Sequence, residues 1–225
     1  MSNSEKILIV AATKNEVYQT INFLSDNKLY NKIEILITGI GIPNTLYKLT
    51  KKLSSTKYKL ILNIGIAGSS SRGINIGDIV HVKKDSFSDL GTDDNGDFIS
   101  IFDLGFTKNN SYPFTNGYLF PEELNYKKIE KLNSVTGSTV NMTSGSTQRI
   151  SQIYSKSDAE IETMEGAAVF FVAMNERIPV IQIRSISNYV EPRNKANWNI
   201  SKAISNLNNY LISNILPDLL SNNEQ

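Results

Sequence analysis

Three strand-like runs in the first third of the chain, at residues 7–12, 33–38 and 59–64, each give way to a capping residue or to glycine. Short runs that are apolar on both faces suit a sheet covered by helices. Their alternation with turns and helical patterns selects an α/β domain with a largely parallel core sheet. Helices are expected over 14–24, with Thr13 as N-cap and Glu16 in the first turn, and over 43–53, after Gly39-Ile40-Gly41. Gly65-Ile66-Ala67-Gly68 reads as a tight turn that closes the third strand.

Further along, strands are expected over 78–82, 135–142 and 180–187, and helices over 122–132, 165–176 and 200–216. Segment 86–121 is rich in Gly, Asp, Asn and aromatics and is too long for a structureless loop in a compact domain, so hairpins and a functional flap are expected in it. With 225 residues, 40% of them hydrophobic, the chain fits one domain, taken as 1–220, followed by a frayed polar tail at 221–225.

The densest information lies in 181–194. Val180, Ile181, Ile183 and Ile186 mark a strand enclosed by other elements. Arg184, Asn188 and Glu191 then fall at its carboxyl end or just beyond, where open α/β sheets bind ligands. An arginine within such a run needs a partner, because an unpaired buried charge is costly, and Glu16 or another carboxylate would serve.

Composition removes several chemistries. The chain has no cysteine, which excludes disulfides, thiolate nucleophiles and Cys-ligated metal, and its one histidine, His81, lies in a strand pattern, so no two-His metal site forms within one chain. Lysine and arginine total 23 against 22 acidic residues, without a basic stripe, which argues against nucleic acid as a partner. No apolar run reaches the length of a membrane span or a signal segment, so a soluble, cytoplasmic protein is expected.

Two motifs fail on inspection. Gly39-Ile40-Gly41-Ile42-Pro43-Asn44 lacks the third glycine of a dinucleotide fingerprint, and Gly68-Ser69-Ser70-Ser71-Arg72 has arginine where a nucleophile elbow needs glycine. A different constellation remains: Glu16, Gly65 to Gly68, Met164-Glu165-Gly166-Ala167-Ala168, and Arg184 to Asn188. Together these resemble the nucleoside phosphorylase and nucleosidase superfamily over nearly the whole chain. Ser88-Asp89-Leu90-Gly91, Gly96-Asp97-Phe98-Ile99-Ser100 and the run from Ser187 to Asn194 with Trp198 are most similar to the futalosine hydrolase branch, purine nucleosidases of menaquinone biosynthesis.

The resemblance implies a three-layer α/β/α fold around a mixed, largely parallel sheet, a homodimer or higher oligomer, and a nucleoside and water as reactants, with no cofactor. It implies that Glu16 activates water, that Glu165 binds the ribose hydroxyls with Met164 packed on the sugar, and that Arg184 serves the catalytic carboxylate. It also assigns substrate contacts to Ile66, Ala67 and Gly68, and to Asn141, Ser144 and Gln148. The chemistry is consistent with those residue types. Breaking a purine N-glycosidic bond needs a base that aims water at the anomeric carbon and a donor for the departing purine. Read alone, Glu16 is better explained as a carboxylate favoured by a helix dipole, and the resemblance reverses that preference.

Asn188 stands where adenine-specific nucleosidases of the superfamily carry aspartate. An amide offers an N–H to O6 or N7 of a 6-oxopurine, whereas a carboxyl accepts from the adenine amino group and protonates N7. Read alone, Asn188 could form an Asx turn. Asn63 precedes Gly65 where the superfamily's phosphorylases place a phosphate-binding arginine, which favours water over phosphate as nucleophile. Ile66 departs from the serine common in nucleosidases. A methylthioadenosine/adenosylhomocysteine nucleosidase, a purine nucleoside phosphorylase and a non-catalytic nucleoside-binding protein are the alternatives. For a carboxylated aryl substituent at the 5′ position, Phe87, Phe98, Phe102 and Phe106 are the candidate packing residues and Arg72, Arg193 and Lys195 the candidate cations.

Overall fold

The computed structural model describes residues 6–155 and 157–221, so the expected frayed tail lies, apart from Ser221, outside the described residues. The first half of the chain forms β1 (Ile7–Ala11), α1 (Tyr18–Asp26), β2 (Ile33–Ile37), α2 (Ile42–Leu53), β3 (Leu60–Ser69) and β4 (Ile79–Lys84). Two hairpins follow, β5 (Gly91–Asp94) with β6 (Asp97–Ser100), and β7 (Phe114–Thr115) with β8 (Tyr118–Leu119). The remainder forms β9 (Asn133–Thr139), α3 (Thr147–Tyr154), β10 (Ile161–Thr163), α4 (Gly166–Asn175), β11 (Val180–Tyr189), α5 (Ile200–Tyr210) and α6 (Leu216–Ser221).

Seven strands make one mixed sheet in the order β10-β9-β4-β11-β3-β1-β2, and β10 also pairs antiparallel with the end of β3, which curls the sheet around that end. Most pairings are parallel, the exceptions being β11 with β4 and β10 with β3. Alternation along the strands builds two cores, one on each face. Leu8, Val10, Ile61 and Ile186 pack with Leu49 and Leu53 of α2 and Phe170 of α4. Ile7, Ile9, Leu62 and Ile183 pack with Leu24 of α1 and Leu207, Leu211 and Leu219 of the terminal helices. This is the expected three-layer α/β/α arrangement of the nucleoside phosphorylase kind.

Several local expectations are corrected. Residues 65–68 are not a turn: β3 runs through them to Ser69, paired with β11 along that length. Thr13 caps no helix. Its N–H and its Oγ1 both donate to Glu16 Oε2 at 2.9 Å, and the chain enters α1 through a 3₁₀ turn at Asn15–Val17. No helix forms over 122–132, because tertiary partners take its backbone groups: the Lys128 N–H donates to Asp218 Oδ2 and the Lys128 carbonyl accepts from the Tyr210 hydroxyl. The terminal helix is broken by a π turn at Leu211–Ile215, where Pro217 has no N–H to give to the carbonyl four residues back.

The hairpins expected in 86–121 are present, and each turns on an Asn-Gly pair with positive φ, Asn95-Gly96 and Asn116-Gly117. Their aromatics fill the hairpin base. Phe87, Phe102 and Phe114 stack edgewise, joined by Phe171 of α4. The cleft described next is lined by other segments of the chain.

Candidate active site

At the carboxyl ends of β1, β3 and β11 lies a cleft of about 550 Å³. Its walls include Glu16, Ile66, Ala67, Gly68, Ser144, Met164, Glu165 and Asn188, all expected from the sequence to bind substrate or act on it. Asn141 and Gln148 are not part of the wall. Asn141 donates from its backbone N and from Nδ2 to Asp89, so it latches the segment before the first hairpin. Gln148 sits in the first turn of α3, which points it into a separate hollow beside Gly96 and Phe98.

Glu16 is 7% exposed and clamped from three sides. Oε2 accepts from Thr13, while Oε1 accepts from the Ile66 N–H at 3.2 Å. Its own carbonyl accepts from Nδ2 of Asn208 on α5 at 2.8 Å, and Oδ1 of the same amide accepts from the N–H and hydroxyl of Thr20. Asn208 thus ties the start of α1 to α5 and fixes where Glu16 points. Sequence reasoning missed it, because a buried asparagine in an amphipathic pattern carries no local signal.

Glu165 is the residue before α4, and its Oε1 accepts from the Gly41 N–H at 2.8 Å, where Gly41 holds φ +92° at the start of α2. Burial pushes the Glu165 carboxyl above the usual range, opposed by the Arg184 charge. Behind it, Glu162 accepts from both the backbone N and the hydroxyl of Ser144 and from the Tyr154 hydroxyl. Ser144 is therefore positioned at the wall by a buried carboxylate.

Arg184 is 1% exposed and lies opposite Gly65 in the β3–β11 register. A Cβ at Gly65 would stand 2.2 Å from the Arg184 Nη1 and 2.8 Å from Glu16 Oε1, so only glycine lets the two side chains share that space. The expected partnership with Glu16 is looser than a contact pair: among the described residues no ion pair within 4 Å includes Arg184. The cation instead lies in the field of three carboxylates, Glu165, Glu16 and Asp85, while Nη2 reaches Gln182 Oε1 at 3.4 Å.

Asn188 follows a bulge in β11 and packs over Gly68, where a Cβ would meet its Nδ2 at 3.1 Å. Nδ2 donates to the Tyr189 carbonyl at 2.9 Å, and Oδ1 accepts from the Ser187 hydroxyl at 2.7 Å. A carbonyl only accepts, so the Tyr189 carbonyl fixes which end of the amide is which, while the Ser187 hydroxyl, which also reaches the Ala67 carbonyl at 3.1 Å, suits either end. At the rim, the Arg72 guanidinium lies over Tyr189 and bridges to Glu191, and that of Arg193 lies over Trp198. Of the three candidate cations Arg193 lines the cleft, while Arg72 and Lys195 do not, and the aromatic surface there comes from Tyr189 and Trp198 in place of the four expected phenylalanines. Among the described residues no group of three His, Asp or Glu side chains is placed to hold a metal, and no helix is long and apolar enough to cross a membrane.

The pattern of the phosphorylase superfamily matches residues 27–215, and the chain belongs to that family. It is 28% identical to the futalosine hydrolase of Streptomyces coelicolor over 160 residues, 69% of this chain but only 64% of that protein. It is 26% identical to a 5′-methylthioadenosine/S-adenosylhomocysteine nucleosidase of Buchnera aphidicola across 96% of this chain and 92% of that protein. The fold superposes on futalosine hydrolase of Helicobacter pylori with a TM-score of 0.73, at 18% identity, covering 97% of this chain and 98% of that one.

Proposed function

We propose that this protein is a purine nucleosidase that hydrolyses the N-glycosidic bond of a 6-oxopurine nucleoside, with futalosine the favoured substrate and hypoxanthine the released base. The observation that carries this reading is the fixed polarity of the Asn188 amide, which leaves the second hydrogen of Nδ2 as the group for a purine acceptor. Glu16 is the base that takes a proton from water as it attacks the anomeric carbon. Glu165 accepts from the ribose hydroxyls, with Met164 against the sugar. The Asn188 N–H stabilises negative charge on the leaving base at O6 or N7.

Water is the nucleophile in this reading. Asn63, at the position that would carry a phosphate-binding arginine, donates to Gln182 within the protein. Neither a metal nor a cofactor has a step in the scheme. The similarity to methylthioadenosine/adenosylhomocysteine nucleosidases supports an adenine nucleoside as the second reading, and Asn188 in place of aspartate weighs against it. The resemblance also supports a cytoplasmic homo-oligomer acting in menaquinone biosynthesis.

The test is incubation with futalosine, inosine and methylthioadenosine, each with and without phosphate and with and without chelator, followed by chromatography. Free hypoxanthine with a reducing sugar, unaffected by either addition, is the expected result. A sugar 1-phosphate, or adenine as the best-released base, overturns it.

A further inference from the structure

Beneath the cleft, on the α4 side of the sheet, lies a buried polar chain that the scheme above does not use. Asp85 at the end of β4 and Gln182 on β11 are both 0% exposed. Asp85 Oδ2 accepts from Gln182 Nε2 at 2.9 Å, and Gln182 Oε1 accepts from Asn63 Nδ2 at 2.6 Å and faces Arg184 Nη2 at 3.4 Å. The other Asp85 oxygen accepts from the Ser86 N–H at 2.8 Å and from Thr139 Oγ1 at 3.0 Å. Gly137 and Gly166 make room for this chain, since a Cβ on either would fall within 2.7 Å of Asp85.

The polarity of the chain has one consistent solution. A carboxylate only accepts, so it draws the amide nitrogen of Gln182 towards itself and turns the amide oxygen towards the guanidinium. The reverse orientation would set an NH₂ group against a buried cation. We propose that Asp85 is a positioning residue for the hydrolysis, acting through Gln182 to hold the Arg184 guanidinium in the place from which its charge acts on Glu16 and Glu165. This rests on the nucleosidase reading only in calling the affected step hydrolysis.

The chain can be reversed by an exchange of atoms that preserves size. In Asp85→Asn the Ser86 N–H still demands an oxygen, so the new NH₂ group faces residue 182 and forces the Gln182 amide to flip. Combining it with Gln182→Glu returns the lost negative charge and restores an acceptor towards both the new amide at position 85 and Arg184. Asp85→Asn should therefore lower kcat at least tenfold with KM little changed, and the double variant should recover most of it. Gln182→Met, which removes the amide, should lower kcat like Asp85→Asn and serves if that variant folds poorly.

Crystal structures of the single and double variants give a readout independent of turnover. The distance from Arg184 Nη2 to residue 182 should lengthen beyond hydrogen-bonding range in Asp85→Asn and shorten again in the double variant. Unchanged kcat in both single variants, a double variant no better than Asp85→Asn, or an Arg184 that keeps its place in Asp85→Asn overturns the proposal. A wild type inactive on every purine nucleoside overturns the functional reading instead, and the crystallographic comparison still decides the role of Asp85.

Discussion

Gly65 and Arg184 face each other across the parallel β3–β11 pair, and the guanidinium occupies the volume that any side chain at 65 would need. The glycine is required here for close approach rather than for a turn, in the middle of a ten-residue strand. Gly65→Ala should destabilise the protein by about 1–3 kcal/mol, the usual cost of overpacking a well-filled interior, and should displace the guanidinium from Glu16. Urea unfolding checks the first effect and turnover the second. Full activity in the alanine variant would show that the placement of Arg184 is unimportant.

Glu16→Gln should lower turnover by roughly 10²- to 10⁴-fold while leaving substrate affinity nearly intact. Its two oxygens accept from three donors, on Thr13 and at the Ile66 N–H. An amide NH₂ must therefore oppose at least one of them, so a melting temperature lowered by a few degrees should accompany the loss. Steady-state kinetics on the purified variant separates the two effects. A kcat within a factor of a few of wild type would remove Glu16 from the chemistry.

The main layers of this fold were legible because long apolar periodicities fixed them, as in α2, α4 and β11. What escaped depended on pairings across the chain. The sequence of 122–132 has the periodicity of a helix, but Asp218 of α6 and Tyr210 at the end of α5 claim the Lys128 backbone groups, and no local pattern reveals that competition. Among the residues proposed to act, Glu16, Glu165 and Asn188, which line the cleft, and Arg184, buried beside Gly65, were picked out by their motifs. Asp85, Asn63, Gln182 and Asn208 were not, because each acquires a role only through the register of strands or helices distant in sequence. Gln148 was misplaced because α3 was missed: Ser146 caps that helix by accepting from the Arg149 N–H, and the helix turns Gln148 away from the cleft.

The buried Asp85 predicts a particular pH dependence of stability. Burial pushes its carboxyl up from 3.8 to about 6, with the hydrogen bonds from Gln182 and Thr139 and the Arg184 charge acting the other way. An acid whose pKa is raised by folding holds its proton more tightly in the folded state, so its contribution to stability falls as pH rises through the window from about 4 to about 6. A shift of this size corresponds to about 3 kcal/mol. The stability of wild type relative to Asp85→Asn should thus decline between pH 4 and pH 6 and level off above. Glu165 and the surface ion pairs are common to both proteins and cancel in the difference. Urea unfolding of the two across that range checks it, and a difference that does not vary with pH would contradict a raised Asp85.

Asn188→Asp tests how the base is read. The wild-type amide cannot turn over to accept from an adenine amino group without setting Oδ1 against the Tyr189 carbonyl, which only accepts. An adenine nucleoside therefore leaves a donor facing a donor. An unmade buried hydrogen bond costs about 1–3 kcal/mol, or roughly ten- to a hundredfold in rate. Aspartate changes both terms: in its ionised form it accepts from the adenine amino group, and in its protonated form it can pass a proton to N7. The charged form repels O6 of a 6-oxopurine and also faces the Tyr189 carbonyl, which loses its donor. The ratio of kcat/KM for matched hypoxanthine and adenine nucleosides should accordingly move towards adenine by at least tenfold, chiefly through loss on the hypoxanthine side. If the ratio stays put while both rates fall together, Asn188 shapes the cleft without reading the base, and selectivity must come from the wall around Ser144.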